Sequence, residues 1–211
     1  NGTTVIGTVV LAESDITKGY GEVAPTAAMA SGTYTAINAR VLDTALNQSA
    51  ASANMTPALI VDVTLPPAPS VPDLAVADDT GSVSTDNVTS VNAGLTFGGT
   101  IAESGARVEL VIDGAPAVAA TVTGTSWAYE LVGPVAEGAH TLVARSIDVA
   151  GNVSVNSATL TVTVDRTGPT VTSITTTLPS GSYRAGAVIP IAAAFSEGVY
   201  LTGTSPLVRA T

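Results

Sequence analysis

The sequence predicts an all-β protein built of tandem β-sandwich modules. Three observations carry this reading: short stretches in which apolar and polar residues alternate with period two, turn-forming residues between those stretches, and an internal repeat with a period of roughly 100 residues, the size of one sandwich. No segment holds a helical period, and the Ala-rich stretch 24–30 is short and contains Pro25.

The repeat sets the organisation. Ser31–Ser52, SGTYTAINARVLDTALNQSAAS, returns as Glu137–Ser157, EGAHTLVARSIDVAGNVSVNS, with one residue fewer. Gly32 aligns with Gly138, Ala39-Arg40 with Ala144-Arg145, Asp43 with Asp148 and Asn47 with Asn152. Val61-Asp62 aligns with Val164-Asp165. The separations are 105 residues from Asp43 to Asp148 and 103 from Asp62 to Asp165. This spacing divides the chain into a partial module over 1–64, a complete module over 65–166 and the opening of a third over 167–211. LPPAPSVP (65–72) reads as a stiff proline-rich connector.

In the middle module, strands are expected at 71–77, 94–101, 106–112, 117–123, 126–132, 139–147 and 158–165, about seven antiparallel strands in all. Leu160, Val162 and Val164 alternate with Thr159, Thr161 and Thr163. Val108, Leu110 and Ile112 alternate with Arg107 and Glu109. Trp127, Tyr129 and Leu131 share one face, and Trp127 is expected in the core. Asp113-Gly114 is a turn signal. Gly98-Gly99, inside a strand pattern, marks a bulge or a close packing contact. Asn1-Gly2 aligns with Asp113-Gly114, so the stretch 1–64 is expected to hold only the second half of a module. The stretch 167–211 is expected to hold only the opening part of a third.

Composition excludes several functions. The formal net charge is −10, with 7 Lys and Arg against 17 Asp and Glu, too few cations to neutralise a phosphate backbone or an anionic membrane surface. No nucleic-acid partner is therefore expected. No apolar run is long enough to span a membrane, so no membrane insertion is expected either. Cysteine is absent, which removes thiol catalysis and zinc-thiolate sites. His140 is the single histidine; it falls on an expected strand, and Tyr34 takes its place in the first copy. No nucleophile–base constellation surrounds it, so no enzymatic activity is expected. Asn-x-Ser/Thr triplets at Asn1, Asn47, Asn54, Asn87 and Asn152 arise readily in a chain this rich in Ser and Thr.

Four segments of the middle module, ADDTGSVSTDN (77–87), GTIAESGARVEL (99–110), EGAHTLVARSIDVAGN (137–152) and TVTVDRTGP (161–169), resemble the bacterial Ig-like repeats of large surface adhesins exported by type I secretion. The first 64 residues resemble the second half of such a repeat, and SGSYRAGAVIPIAAAFSEGV (180–199) resembles the opening of another bacterial Ig-like subtype. The resemblance implies tandem Ig-like β-sandwiches in an extracellular, cell-surface stalk, stiffened by calcium (Ca2+) near the module junctions. It also implies neighbouring Ig-like modules as partners, and a surface, glycan or protein ligand that the sequence does not name. Carried over residue by residue, it makes Asp148, Asn152 and Asp165 candidate ligands, with Asp78, Asp79 and Asp86 in the acidic loop and Asp43, Asn47 and Asp62 in the first copy. Calcium takes six to eight oxygen ligands, which such loops can supply, and adjacent carboxylates such as Asp78 and Asp79 repel unless a cation or hydrogen bonds offset them. One position departs from the pattern: Gly151 is Leu46 in the first copy, a strained choice if the turn needs positive φ. Two other roles remain open: self-association into a filament or matrix by strand addition between partial modules, and an accessory region of a secreted enzyme.

Overall fold

The structure, a computed structural model, describes residues 4–199. The Asn1-Gly2 alignment and the end of the third module, 200–211, lie outside the described residues. The chain is nearly all β. Its one helix among the described residues, α1 (Glu13–Lys18), was not anticipated. It is a short turn with acidic residues in its first turn and Lys18 in its last, as the helix dipole favours.

Two strands follow α1: β1 (Gly32–Tyr34) and β2 (Leu59–Val61), paired antiparallel in a sheet of their own. The middle of the chain then runs β3 (Asp73–Leu74), β4 (Val88–Thr89), β5 (Leu95–Thr100), β6 (Arg107–Ile112), β7 (Val118–Ala119), β8 (Thr121–Thr123), β9 (Ser126–Leu131), β10 (Gly138–Ile147) and β11 (Leu160–Val164). These form two sheets, a five-stranded one in the order β4-β11-β10-β6-β7 and a four-stranded one in the order β3-β5-β9-β8. Two further strands, β12 (Val171–Thr175) and β13 (Ala192–Phe195), pair with each other.

The period-two patterns bury the expected faces. Leu160, Val162 and Val164 point inward from β11, and Val108 and Leu110 from β6; they meet Leu95, Phe97 and Trp127 of the other sheet in a single core. Each such side chain contributes about 1.5–3 kcal/mol on burial. Gly99 is a close packing contact: a Cβ there would lie 2.7 Å from the Trp127 ring and 2.7 Å from Ser70 Oγ. Every buried residue among those described falls between 66 and 164.

Three features differ from the expected strands. The stretch expected as one strand at 117–123 is two: β7 hydrogen-bonds β6 and β8 hydrogen-bonds β9, so the chain changes sheets at Ala120. The stretch at 71–77 is ladder-paired only at β3; the chain then crosses to the other sheet, where β4 pairs parallel with β11. Both exchanges carry the chain from one sheet to the other, at Ala120 within one residue and after β3 through the acidic loop, which a single-strand alternation does not encode. The third difference is the proline-rich segment. Pro66, Pro69 and Pro72 are buried against the sandwich, Ser146 Oγ donates to the Pro67 carbonyl at 2.8 Å, and Ser70 N donates to the Thr100 carbonyl at 2.9 Å. Proline lacks the N–H a central strand would need, so it covers an edge at no cost in ladder bonds.

Candidate functional site

The nine candidate ligands fall into three kinds of place. The first is the acidic loop between β3 and β4. Its opening turn is closed by the Asp78 and Asp79 amides, both donating to the Ala75 carbonyl. Asp78 Oδ2 accepts from Thr96 N at 2.8 Å, and Asp86 Oδ1 accepts from Val88 N at 3.1 Å. Asp79 is only 4% exposed; its Oδ2 accepts from Asn87 N at 3.1 Å, while its buried Oδ1 has no hydrogen-bond partner. A buried carboxylate oxygen without a donor is costly, and it marks the one carboxylate of the loop with unmet demand for positive charge.

The second kind of place is the loop after β10 and its copy in the first region. Asp148 Oδ1 accepts from Asn152 N and Oδ2 from Asn152 Nδ2, both at 2.8 Å. Asp43 makes the same pair with Asn47, at 2.8 and 2.9 Å. In each copy the aspartate amide donates to the asparagine carbonyl at 3.1 Å, closing the turn. The asparagine side chain is the largest cause holding both carboxyls below their usual range. The turn needs positive φ at its fourth residue: Gly151 has φ 95°, and Leu46 adopts φ 69° in the same place.

The serines that follow extend the match. Ser154 Oγ accepts from Ser146 N and Ser157 Oγ from Ala144 N, each at 2.9 Å. Ser49 and Ser52 do the same for Val41 and Ala39, at 3.1 and 3.0 Å. All four hydroxyls then donate to the carbonyl of the next residue. Sequence reasoning missed these serines, although they sit at the same 105-residue separation as the aspartates.

The third kind of place is the end of each copy. Asp62 Oδ1 accepts from Thr64 N at 2.9 Å and Asp165 Oδ1 from Thr167 N at 3.0 Å, the same turn after each final strand. The Asp62 carbonyl also accepts from Asn152 Nδ2 at 3.0 Å, tying the end of the first copy to the clamp of the second. Among the described residues, no three acidic or histidine side chains converge on one point that could hold a metal ion.

His140 lies on β10, in register with Val162, and its ring is engaged on both sides. Nδ1 is 2.7 Å from Asp113 Oδ2 and Nε2 is 3.0 Å from the Ala136 carbonyl. With Nε2 on a backbone carbonyl, the ring does not face a serine as a triad histidine would. Asp113, 27 residues earlier, was legible as a turn residue, but its pairing with His140 was not.

Two packed sheets around one core, with nearly all ladders antiparallel, define a β-sandwich of the immunoglobulin-like kind. Residues 64–166 match the family model of the bacterial Ig-like domain. No curated protein matches the chain. Among solved structures, the chain is similar to the fibronectin(III)-like modules of Clostridium thermocellum CbhA, at 17% identity and a TM-score of 0.35, with 64% of each chain covered. No helix among the described residues is long and apolar enough to cross a membrane.

Proposed function

We propose that this chain is part of the extracellular stalk of a bacterial surface or biofilm adhesin, with the Ig-like domain at 64–166 as one spacer among several. The observation that carries the reading is the recurrence, bond for bond, of the Asp–Asn clamp and its two serines at one-domain spacing. A chain that repeats one supersecondary unit at the period of a domain is built to be lengthened by addition of units. The adhesive ligand, a surface, glycan or protein, then belongs to another part of the stalk or its tip, and no catalytic role is assigned to this segment.

Calcium fits one of the three places better than the others. The clamp aspartates have both oxygens engaged by their own asparagines, whereas Asp79 keeps a buried oxygen without a donor. Asp79 is the ligand through which the ion would act, supplying the positive charge that its Oδ1 lacks; Asp78 and Asp86 of the same loop do not converge with it on one point, so the remaining oxygens would come from backbone carbonyls and water. The test is the melting of the full chain followed by fluorescence of Trp127, the single tryptophan. Calcium at about 1 mM, a level that fills extracellular calcium modules, is expected to raise the midpoint relative to chelator, and Asp79→Asn to abolish the difference. Equal midpoints in calcium and chelator would remove the ion and leave a spacer without it. Small-angle scattering should show a longer, stiffer particle with calcium.

A second reading, assembly by strand addition, is favoured by the two-stranded sheets β1-β2 and β12-β13, in which no described residue is buried. Sedimentation that stays monomeric over a wide concentration range would exclude it.

A further inference from the structure

The same back-bond, from a ring two residues after a glycine to the carbonyl four residues before it, occurs three times along the chain. Tyr34 lies two residues after Gly32, and its hydroxyl donates to the Ala30 carbonyl, four residues back, at 2.9 Å. Tyr183 lies two residues after Gly181, and its hydroxyl donates to the Pro179 carbonyl, also four residues back. His140 lies two residues after Gly138 and reaches the Ala136 carbonyl, again four residues back, at 3.0 Å. The ladders confirm that the first and second corners are equivalent, since Gly32 pairs with Val61 and Gly138 with Val164. A tyrosine bonded back to the chain at the start of such a strand is a known way to pin an immunoglobulin-like corner. In the complete domain, histidine stands in for it.

The substitution changes how the corner responds to pH. A phenol keeps its O–H up to a pH of about 10. A neutral imidazole has one N–H and one bare nitrogen. His140 faces an acceptor on each side, the Asp113 carboxylate and the Ala136 carbonyl, and neither can donate in return. Only the doubly protonated ring satisfies both; a neutral ring must turn a lone pair toward one of them.

We propose that His140 is a proton-dependent latch that joins the β6–β7 turn to the loop entering β10 when protonated and releases one of them when neutral. The turn it holds is a demanding one: Asp113 has φ 50°, and it is bound to β10 through Thr141 N, which donates to Asp113 Oδ1 at 2.7 Å, as well as through the ring. Among the described residues, Asp113 is the one charged group facing the imidazole. β11 carries no titratable side chain. On β6, Glu109 is taken by Arg145 at 2.7 Å and Arg107 lies at the far end of the β6–β10 ladder, opposite Ile147. In the entering loop, Glu137 is held by Arg166 at 3.2 Å. The Asp113 hydrogen bond, then the Ala136 carbonyl, raise the affinity of the ring for its proton above the ordinary value of 6.5, against the opposing effect of partial burial. Because the folded value is the raised one, the latch contributes fully below 6.5 and is lost as pH rises through the folded value.

One histidine makes the test direct, since a two-dimensional spectrum of the full chain shows one imidazole to titrate. The expected midpoint lies above 6.5, and Asp113→Asn moves it down. The Trp127-reported melting midpoint of the native chain is expected to fall between about pH 6 and pH 8, the range in which histidine switches, and amide exchange at Thr141 to quicken. His140→Tyr, which restores the tyrosine of the first copy, should flatten that dependence. A native midpoint at or below 6.5, or a His140→Tyr chain whose melting follows pH as the native chain does, would overturn the proposal. If His140→Tyr fails to fold, the native titration and its response to Asp113→Asn still decide.

Discussion

The two clamped hairpins, 39–52 and 144–157, make the same hydrogen bonds in two different surroundings. In the second copy Ala144, Ser146, Ser154 and Ser157 are buried; in the first, Ala39, Val41 and Ser52 are exposed and Ser49 is half-buried. The clamp therefore does not need a core to be specified. Its donors and acceptors lie within 13 residues of one another, and the asparagine, aspartate and serine side chains bond to backbone close by in sequence. What the second copy adds is an opposing sheet, β3-β5-β9-β8, which excludes water from the same pattern.

The contrast can be broken at the core. Leu110 is fully buried between the sheets, and Leu110→Ala should cost about 2–5 kcal/mol. That loss would appear as a large drop in the Trp127-reported midpoint. Hydrogen exchange in 39–52 should stay as it was, because no core residue reaches that hairpin.

A finer comparison uses equivalent serines. Ser157→Ala strands the buried Ala144 amide and should cost about 1–3 kcal/mol. Ser52→Ala removes the same bond to Ala39 where water can replace it, and should change stability by no more than about 0.5 kcal/mol. Equal costs in denaturant titrations of the two variants would mean that burial is not what separates the copies.

The smallest effect is common to both copies. Asp148 and Asp43 have folded carboxyls held below the ordinary 3.8 by their asparagines. Their contribution is present above 3.8 and is lost as pH falls through the lower folded values. Exchange of the Asn152 and Asn47 amides should accordingly begin to quicken only below about pH 3.8, and Asp148→Asn should remove that dependence in its own loop alone.

Much of this was legible in the residues. The alternation of Val108 and Leu110, and of Leu160, Val162 and Val164, identified the buried faces, because a strand has a fixed period of two and one face meets the core. Gly99 inside a strand announced a close approach, and the Trp127 ring makes it. The Asp–Asn spacing marked both clamps, though it did not say that the carboxylates are spent on asparagine. The acidic loop was visible as three aspartates, but nothing local distinguished Asp79, whose Oδ1 is buried without a donor, from Asp78, which caps Thr96.

Local spacing alone thus determined most strands of the middle module, the Asp–Asn pairs and the repeat, because their partners lie within a turn or a hairpin and the residue types set the geometry. The tertiary structure decided what depends on distant pairings. It chose the change of sheets at Ala120, the parallel seat of β4 beside β11 and the packing of Pro66, Pro69 and Pro72 onto the sandwich. It also brought Asp113 to His140, which gives an ordinary strand residue a carboxylate partner 27 residues away. Such contacts are set by which sheet faces which, and that is settled by burying one common core, Trp127 and Phe97 against Leu110 and Val162, which no single segment can form alone.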